Sequence, residues 1–138
     1  MIRVARVVYE QMVAHASEER PFECCGLLAG TGGEITRSFR ATNAAEFFGI
    51  RYEIAPRDVL RLNREIDDAD LDLLGVYHSH PFTRAYPSAT DLGQASEGLV
   101  YVIVSLTDFL APMVRAFAIS DGQVSERPIE IVDAFGQD

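Results

Sequence analysis

The stretch Gly75 to Asp91, GVYHSHPFTRAYPSATD, constrains this chain more than any other. Leu73, Leu74, Val76 and Tyr77 read as a short buried strand running into His78 and His80. Alternate residues of a strand point to one face, so a strand ending here aims both imidazoles into one site. Pro81 stops the ladder because it has no N–H to donate. The run Ser88-Ala89-Thr90-Asp91 reads as a helix start, with Ser88 as N-cap and Asp91 three residues on. Two imidazoles and one carboxylate suit zinc, and three protein ligands leave the fourth tetrahedral position for water. The expected metal ligands are therefore His78, His80 and Asp91.

This arrangement resembles the JAMM, or MPN-plus, metalloprotease family. The matching residues are His78-Ser79-His80-Pro81, six residues from Phe82 to Pro87, and Ser88-x-x-Asp91, with an upstream glutamate, Glu23, in PFECCGLL. A lone His-x-His is weak evidence, whereas all four parts in order are strong. The resemblance covers the chain from about residue 2 to residue 132. It implies a zinc peptidase in which Glu23 moves the water proton and Ser88 hydrogen-bonds the oxyanion. Among small stand-alone relatives it implies ubiquitin-like sulfur-carrier substrates, cut after a terminal Gly-Gly, including adducts with cysteine. The chain stops soon after its last strand, so it is expected to resemble those small members. Taken alone, Glu23 reads as a solvated strand-edge carboxylate; the downstream motif reverses that. A non-catalytic MPN-type interaction module is the alternative, but such modules have usually lost ligands that this chain keeps. A zinc deaminase fails because no Pro-Cys-x-x-Cys motif is present.

The rest of the sequence reads as one α/β domain over residues 1–138. Residues 2–5 are expected to form a strand. Val8, Met12, Val13 and Ala16 give a helical stripe over Val7–Glu19, ended by Pro21. His15 on that helix is expected to be a surface or capping histidine, with a zinc role less favoured. Cys24–Gly30 and Glu34–Ala41 are expected strands joined by a Thr31-Gly32-Gly33 turn. Cys25 is expected to be a small buried residue, not a nucleophile. Ser79 is expected to face away from the two histidines. Asn43–Gly49, with Phe47 and Phe48, reads as a loop and Arg51–Ile54 as a short strand. Pro56 opens a helix to about Asp70, and the Asp67–Asp70 run reads as a solvated turn, since it lacks the remaining elements of a calcium loop. A helix Asp91–Glu97 closed by Gly98, a buried strand Leu99–Leu106, a loop Thr107–Ala111, a strand Met113–Ile119, a turn at Asp121-Gly122 and a last strand Gln123–Val132 complete the chain, whose final residues are expected to fray. These elements suggest one mixed sheet with helices on its faces. The resemblance implies the same: a curved sheet between helices, similar to the cytidine deaminase fold.

Composition excludes several classes. At 48% hydrophobic residues the chain supports a real core. A net charge of −9 argues against nucleic acid and against anionic membranes as partners. No apolar run approaches ~20 residues, so no transmembrane helix is expected. The N-terminus lacks the features of a signal peptide, and adjacent Cys24 and Cys25 are unsuited to a structural disulfide; both point to the cytoplasm.

Overall fold

In chain order the elements are β1 (Ile2–Ala5), α1 (Arg6–Glu19), β2 (Cys25–Thr31), β3 (Glu34–Ala41), α2 (Pro56–Asp68), β4 (Asp72–His80), α3 (Ala89–Gln94), β5 (Val100–Ser105), β6 (Met113–Ser120), β7 (Gln123–Arg127) and β8 (Ile129–Val132). They come from a computed structural model that describes residues 1–45 and 52–133. The expected loop tip with Phe47 and Phe48, the start of the Arg51–Ile54 segment and most of the C-terminal tail lie outside the described residues.

Eight strands form one mixed sheet in the order β7-β6-β5-β4-β2-β3-β1-β8. The sequence predicts a single last strand over Gln123–Val132, and the structure divides it. Pro128 interrupts the run, so β7 pairs antiparallel with β6 at one edge and β8 pairs parallel with β1 at the other. Strands adjacent in sequence thus occupy opposite edges, which curls the sheet until it is nearly closed. Closure leaves few free edge groups in an eight-stranded sheet. The two hairpin turns are as expected: Gly32 and Gly33 have φ of 60° and 80°, and Asp121 and Gly122 have 51° and 73°. Positive φ at both central residues matches the right-handed twist of the flanking strands.

Helices cover both faces. Val8, Met12 and Ala16 of α1 are fully buried against Val4, Leu28, Ile35, Val102 and Val104. Leu62 and Ile66 of α2 are buried on the other face with Leu27, Ala29, Val76 and Tyr101. Cys24 lies in the first cluster and Cys25 in the second, as expected of neighbours on a strand. Both are free thiols, and burial pushes each up to about 12, which suits packing and not nucleophilic attack. α3 is shorter than the sequence suggests, ending at Gln94. No helix among the described residues is long and apolar enough to cross a membrane.

Gly26 is needed where β2 packs between β3 and β4. A Cβ there would stand 2.3 Å from the Tyr77 ring and 2.5 Å from the Phe39 carbonyl oxygen. Gly26→Ala is expected to destabilise the protein by about 1–3 kcal/mol in urea unfolding. Gly93→Ala on α3, where a Cβ meets nothing within 4 Å, is the control and should leave the midpoint unchanged or raised.

Candidate metal centre

The site lies where β4 ends. β4 runs one turn of the pleat further than the apolar run alone suggests, through His80, and Leu106 N–H donates to the His80 carbonyl at 3.1 Å to hold that end. His78 and His80 point to one face and are 1% and 4% exposed. Ser79 between them points to the other, as expected, and its Oγ accepts from Cys24 N–H at 2.8 Å. Ser79 N–H donates to the Cys24 carbonyl at 3.2 Å. β2 pairs Cys25 with His78, so this two-way link carries the register one residue past the strand and brings Glu23 beside His80.

Three atoms converge. His78 Nε2 lies 3.1 Å from His80 Nε2, and Asp91 Oδ2 lies 3.2 Å and 3.1 Å from the two nitrogens. His80 Nδ1 faces the Arg84 carbonyl at 2.9 Å. A carbonyl only accepts, so the Nδ1 carries hydrogen and a neutral His80 turns its Nε2 lone pair into the triangle. Lone pairs and a carboxylate oxygen packed this closely repel unless a shared proton or a metal cation sits among them. A tetrahedral ion with bonds of ~2.0–2.1 Å holds its ligand atoms about 3.3 Å apart, close to the spacing here. Glu23 also contributes an oxygen within 4.8 Å of both imidazoles, and Glu23, His78 and His80 form a buried cluster able to hold a metal ion.

The two carboxylates are shifted in opposite directions. Burial opposes the charge on Asp91, but hydrogen bonds from His78 and His80, their charge, and the Ser88 N–H keep it well below the usual carboxylate range. Burial pushes Glu23 up to about 7, opposed by His80 and reinforced by Asp91. Its Oε1 is buried without a hydrogen-bond partner among the described residues, as is His78 Nδ1. Burial likewise lowers His78, whereas contacts to Asp91 and the Arg84 carbonyl raise His80 against its own desolvation.

The helix start at Ser88 is as expected. Ser88 Oγ accepts from Asp91 N–H at 3.1 Å and Asp91 Oδ2 accepts from Ser88 N–H at 2.8 Å, a reciprocal capping box that also aims the Asp91 carboxylate at the histidines. Two positions that sequence reasoning missed support the site. Tyr52 stacks on His78 with centroids 4.3 Å apart and planes at 22°. Asn43 donates from Nδ2 to the Glu23 carbonyl at 3.1 Å and accepts at Oδ1 from Ala45 and Glu53 N–H, tying the residue 43–54 segment to the glutamate. Both act from across the fold, with no local signal.

His15 needs correction. It is neither a ligand nor a surface residue but is 4% exposed, with Nδ1 2.7 Å from the Tyr77 hydroxyl on the sheet face opposite the metal cluster. A stripe residue of α1 faces the core whatever its chemistry, and Tyr77 supplies the hydrogen bond.

Residues 5–120 match the family of prokaryotic homologs of the JAB domain. The chain is 39% identical over 127 residues to a CysO-cysteine peptidase of Mycobacterium tuberculosis, covering 90% of this chain and 86% of that one. It is 36% identical over 103 residues to a desampylase of Haloferax volcanii, covering 70% and 74%. Protein DSY2949 of Desulfitobacterium hafniense superimposes with a TM-score of 0.89 at 31% identity, covering 99% of this chain and 96% of that one. The chain belongs to the prokaryotic JAB family, and the fold class and curved sheet read from its sequence are those of that family.

Burial depresses His15 to about 4. Between that value and ~6.5 the unfolded chain binds a proton that the folded chain refuses, so acid favours unfolding. The contribution is fully present above ~6.5 and is lost as pH falls toward 4. The wild type should lose on the order of 3 kcal/mol more stability over that window than His15→Gln, read from urea unfolding at a series of pH values.

Proposed function

We propose that this protein is a zinc-dependent peptidase that hydrolyses the bond after the terminal Gly-Gly of a ubiquitin-like sulfur-carrier protein, releasing cysteine or another amine. The observation that carries the reading is the triangle of His78 Nε2, His80 Nε2 and Asp91 Oδ2, with Glu23 buried beside it and its Oε1 without a hydrogen-bond partner among the described residues. The proposed zinc ligands are His78, His80 and Asp91. Asp91 is preferred to Glu23 as third ligand because it is closer to both nitrogens and stays ionised, while Glu23 is poised near neutrality. A zinc ion held there supplies Lewis acidity, making water acidic and polarising the scissile carbonyl.

Glu23 takes a proton from the attacking water as the C–O bond forms, then delivers it to the leaving nitrogen as the C–N bond breaks. Its position near pH 7 suits a group that must both accept and donate. Ser88 Oγ uses a lone pair to accept from Asp91 N–H, so its hydroxyl hydrogen is available for the oxyanion. Tyr52 closes one side of His78 against water.

From Tyr52 a cavity of about 440 Å³ runs along β4, lined by Ile54, Leu73, Val76, Leu99 and Tyr101. An extended tail can lie there and pair its backbone with the residue 52–54 segment, a mode that needs little side-chain information. The names of the relatives, CysO-cysteine peptidase and desampylase, support this substrate class. Residues 1–138 are proposed to act as one catalytic domain. The cytoplasm goes with this reading and suits a chain whose two cysteines are buried and free.

Metal analysis should find one zinc per chain in the wild type, and zinc content unchanged in His80→Ala with Asp91→Ala would overturn the ligand set. Glu23→Gln should stay folded and zinc-loaded while losing nearly all turnover on a Gly-Gly carrier adduct. Ser88→Ala should lose ~10²–10³ in turnover. A loss under tenfold leaves Ser88 as a helix cap alone. Mass spectrometry should find little cleavage once the last glycine of the carrier is replaced by valine.

A further inference from the structure

We propose that Tyr52 is a positioning residue for the metal centre: its ring, stacked on His78, holds that imidazole in the orientation a zinc ion needs. The proposal rests on the zinc-peptidase reading and deepens it at one ligand. Backbone pairing fixes where the His78 side chain starts but not how its ring is turned. His78 pairs with Cys25 of β2 and with Ile103 of β5, so its backbone is held from both sides. The torsion that turns a histidine ring is broad and roughly two-fold. Turning the ring over would put Cε1 where Nε2 meets His80 and Asp91, and a carbon cannot hold a metal.

A metal-ligating imidazole is ordinarily kept from turning by donating its other N–H to a carbonyl, a carboxylate or water. His80 has that restraint, with Nδ1 2.9 Å from the Arg84 carbonyl oxygen. His78 lacks it. Its Nδ1 is buried with no hydrogen-bond partner among the described residues. A ring meets His78 instead. The Tyr52 centroid lies 4.3 Å from the imidazole centroid with the planes 22° apart, whereas His80 meets His78 edge-on, at 4.9 Å and 62°. Rotation about the torsion drives an edge of the imidazole into the stacked ring, so the stack opposes the motion that the missing hydrogen bond would have opposed. Tyr52 can do this because it is fixed itself. It is 6% exposed, in the cluster that holds Leu62 and Val76. The neighbouring Glu53 donates its N–H to Asn43 Oδ1 at 2.9 Å and accepts at its carbonyl from Ala44 N–H at 2.7 Å, and Asn43 and Ile54 form an antiparallel bridge. Asn43 also donates to the Glu23 carbonyl. One backbone patch therefore places His78 through Tyr52 and Glu23 through Asn43.

The test reads zinc affinity, by competition with a chromophoric chelator on protein stripped of metal, and the visible spectrum of the cobalt-substituted protein. Thermal midpoints of the metal-free forms confirm that each variant folds. Tyr52→Phe keeps the ring and should keep the zinc Kd within about threefold of wild type. Tyr52→Leu removes the stack and should raise Kd by at least about tenfold, with a changed cobalt spectrum. Phe39→Leu removes a ring from the same buried cluster, on β3, which β2 separates from β4. It should leave Kd within about threefold. Where Tyr52→Leu does not fold, Tyr52→Met, which fills more of the space, carries the same expectation. A folded Tyr52→Leu or Tyr52→Met protein whose Kd rises less than about tenfold overturns the proposal. So does an equal rise in Tyr52→Phe, which would give the effect to the hydroxyl, or in Phe39→Leu, which would make it a matter of general packing. A wild type that binds no zinc fails the zinc reading and this proposal with it.

Discussion

The site depends on one short piece of pairing, the two hydrogen bonds between Cys24 and Ser79. Cys24 N–H donates to Ser79 Oγ and Ser79 N–H donates to the Cys24 carbonyl. Beyond them β2 has ended, yet the register with β4 continues. That fixes Glu23 against the histidines without a strand to hold it. Asn43 secures the same glutamate from the other side through its carbonyl. The proton-moving role proposed for Glu23 needs the carboxylate within hydrogen-bond reach, and backbone anchors place it while its Oε1 has no hydrogen-bond partner among the described residues.

Burial then sets the two carboxylates apart. Both Glu23 and Asp91 are 6% exposed, so desolvation penalises each equally in kind. Asp91 has two imidazoles and a backbone N–H to offset that penalty, and Glu23 has none of these hydrogen bonds. One therefore remains an anion, as the proposed metal ligand requires, and the other is pushed up to about 7, which suits the proton-carrying role proposed for it. The difference comes from partners, since the chemistry of the two side chains is nearly the same.

The nearly closed sheet carries this arrangement. α1 and α2 bury opposite faces, so β2 and β4, which hold the site, are central strands covered on both sides. Central strands open least often, and a triangle of His78, His80 and Asp91 with edges near 3.1 Å tolerates little displacement if it is to keep its geometry.

Much of this was legible in the chain order. His78 and His80 share a face because a strand has period two, and Ser88-x-x-Asp91 makes a capping box because the first turn of a helix brings those residues together. Both signals are local, so the sequence by itself determined the three candidate ligands and the turn chemistry of both hairpins. It also determined the broad α/β layering through hydrophobic period. Other features needed the tertiary structure. Splitting of the last run at Pro128 into strands at opposite edges depends on how far the whole sheet curls. Burial of His15 depends on Tyr77, 62 residues away, offering a hydroxyl. Stacking of Tyr52 on His78, the Asn43 anchor and the contact of Arg20 with the Phe82 and Phe109 rings join segments that no periodicity links. Above all, the sequence names Glu23 only by resemblance. Its burial, its missing partner and its raised pKa arise from non-local packing, which is where desolvation is decided.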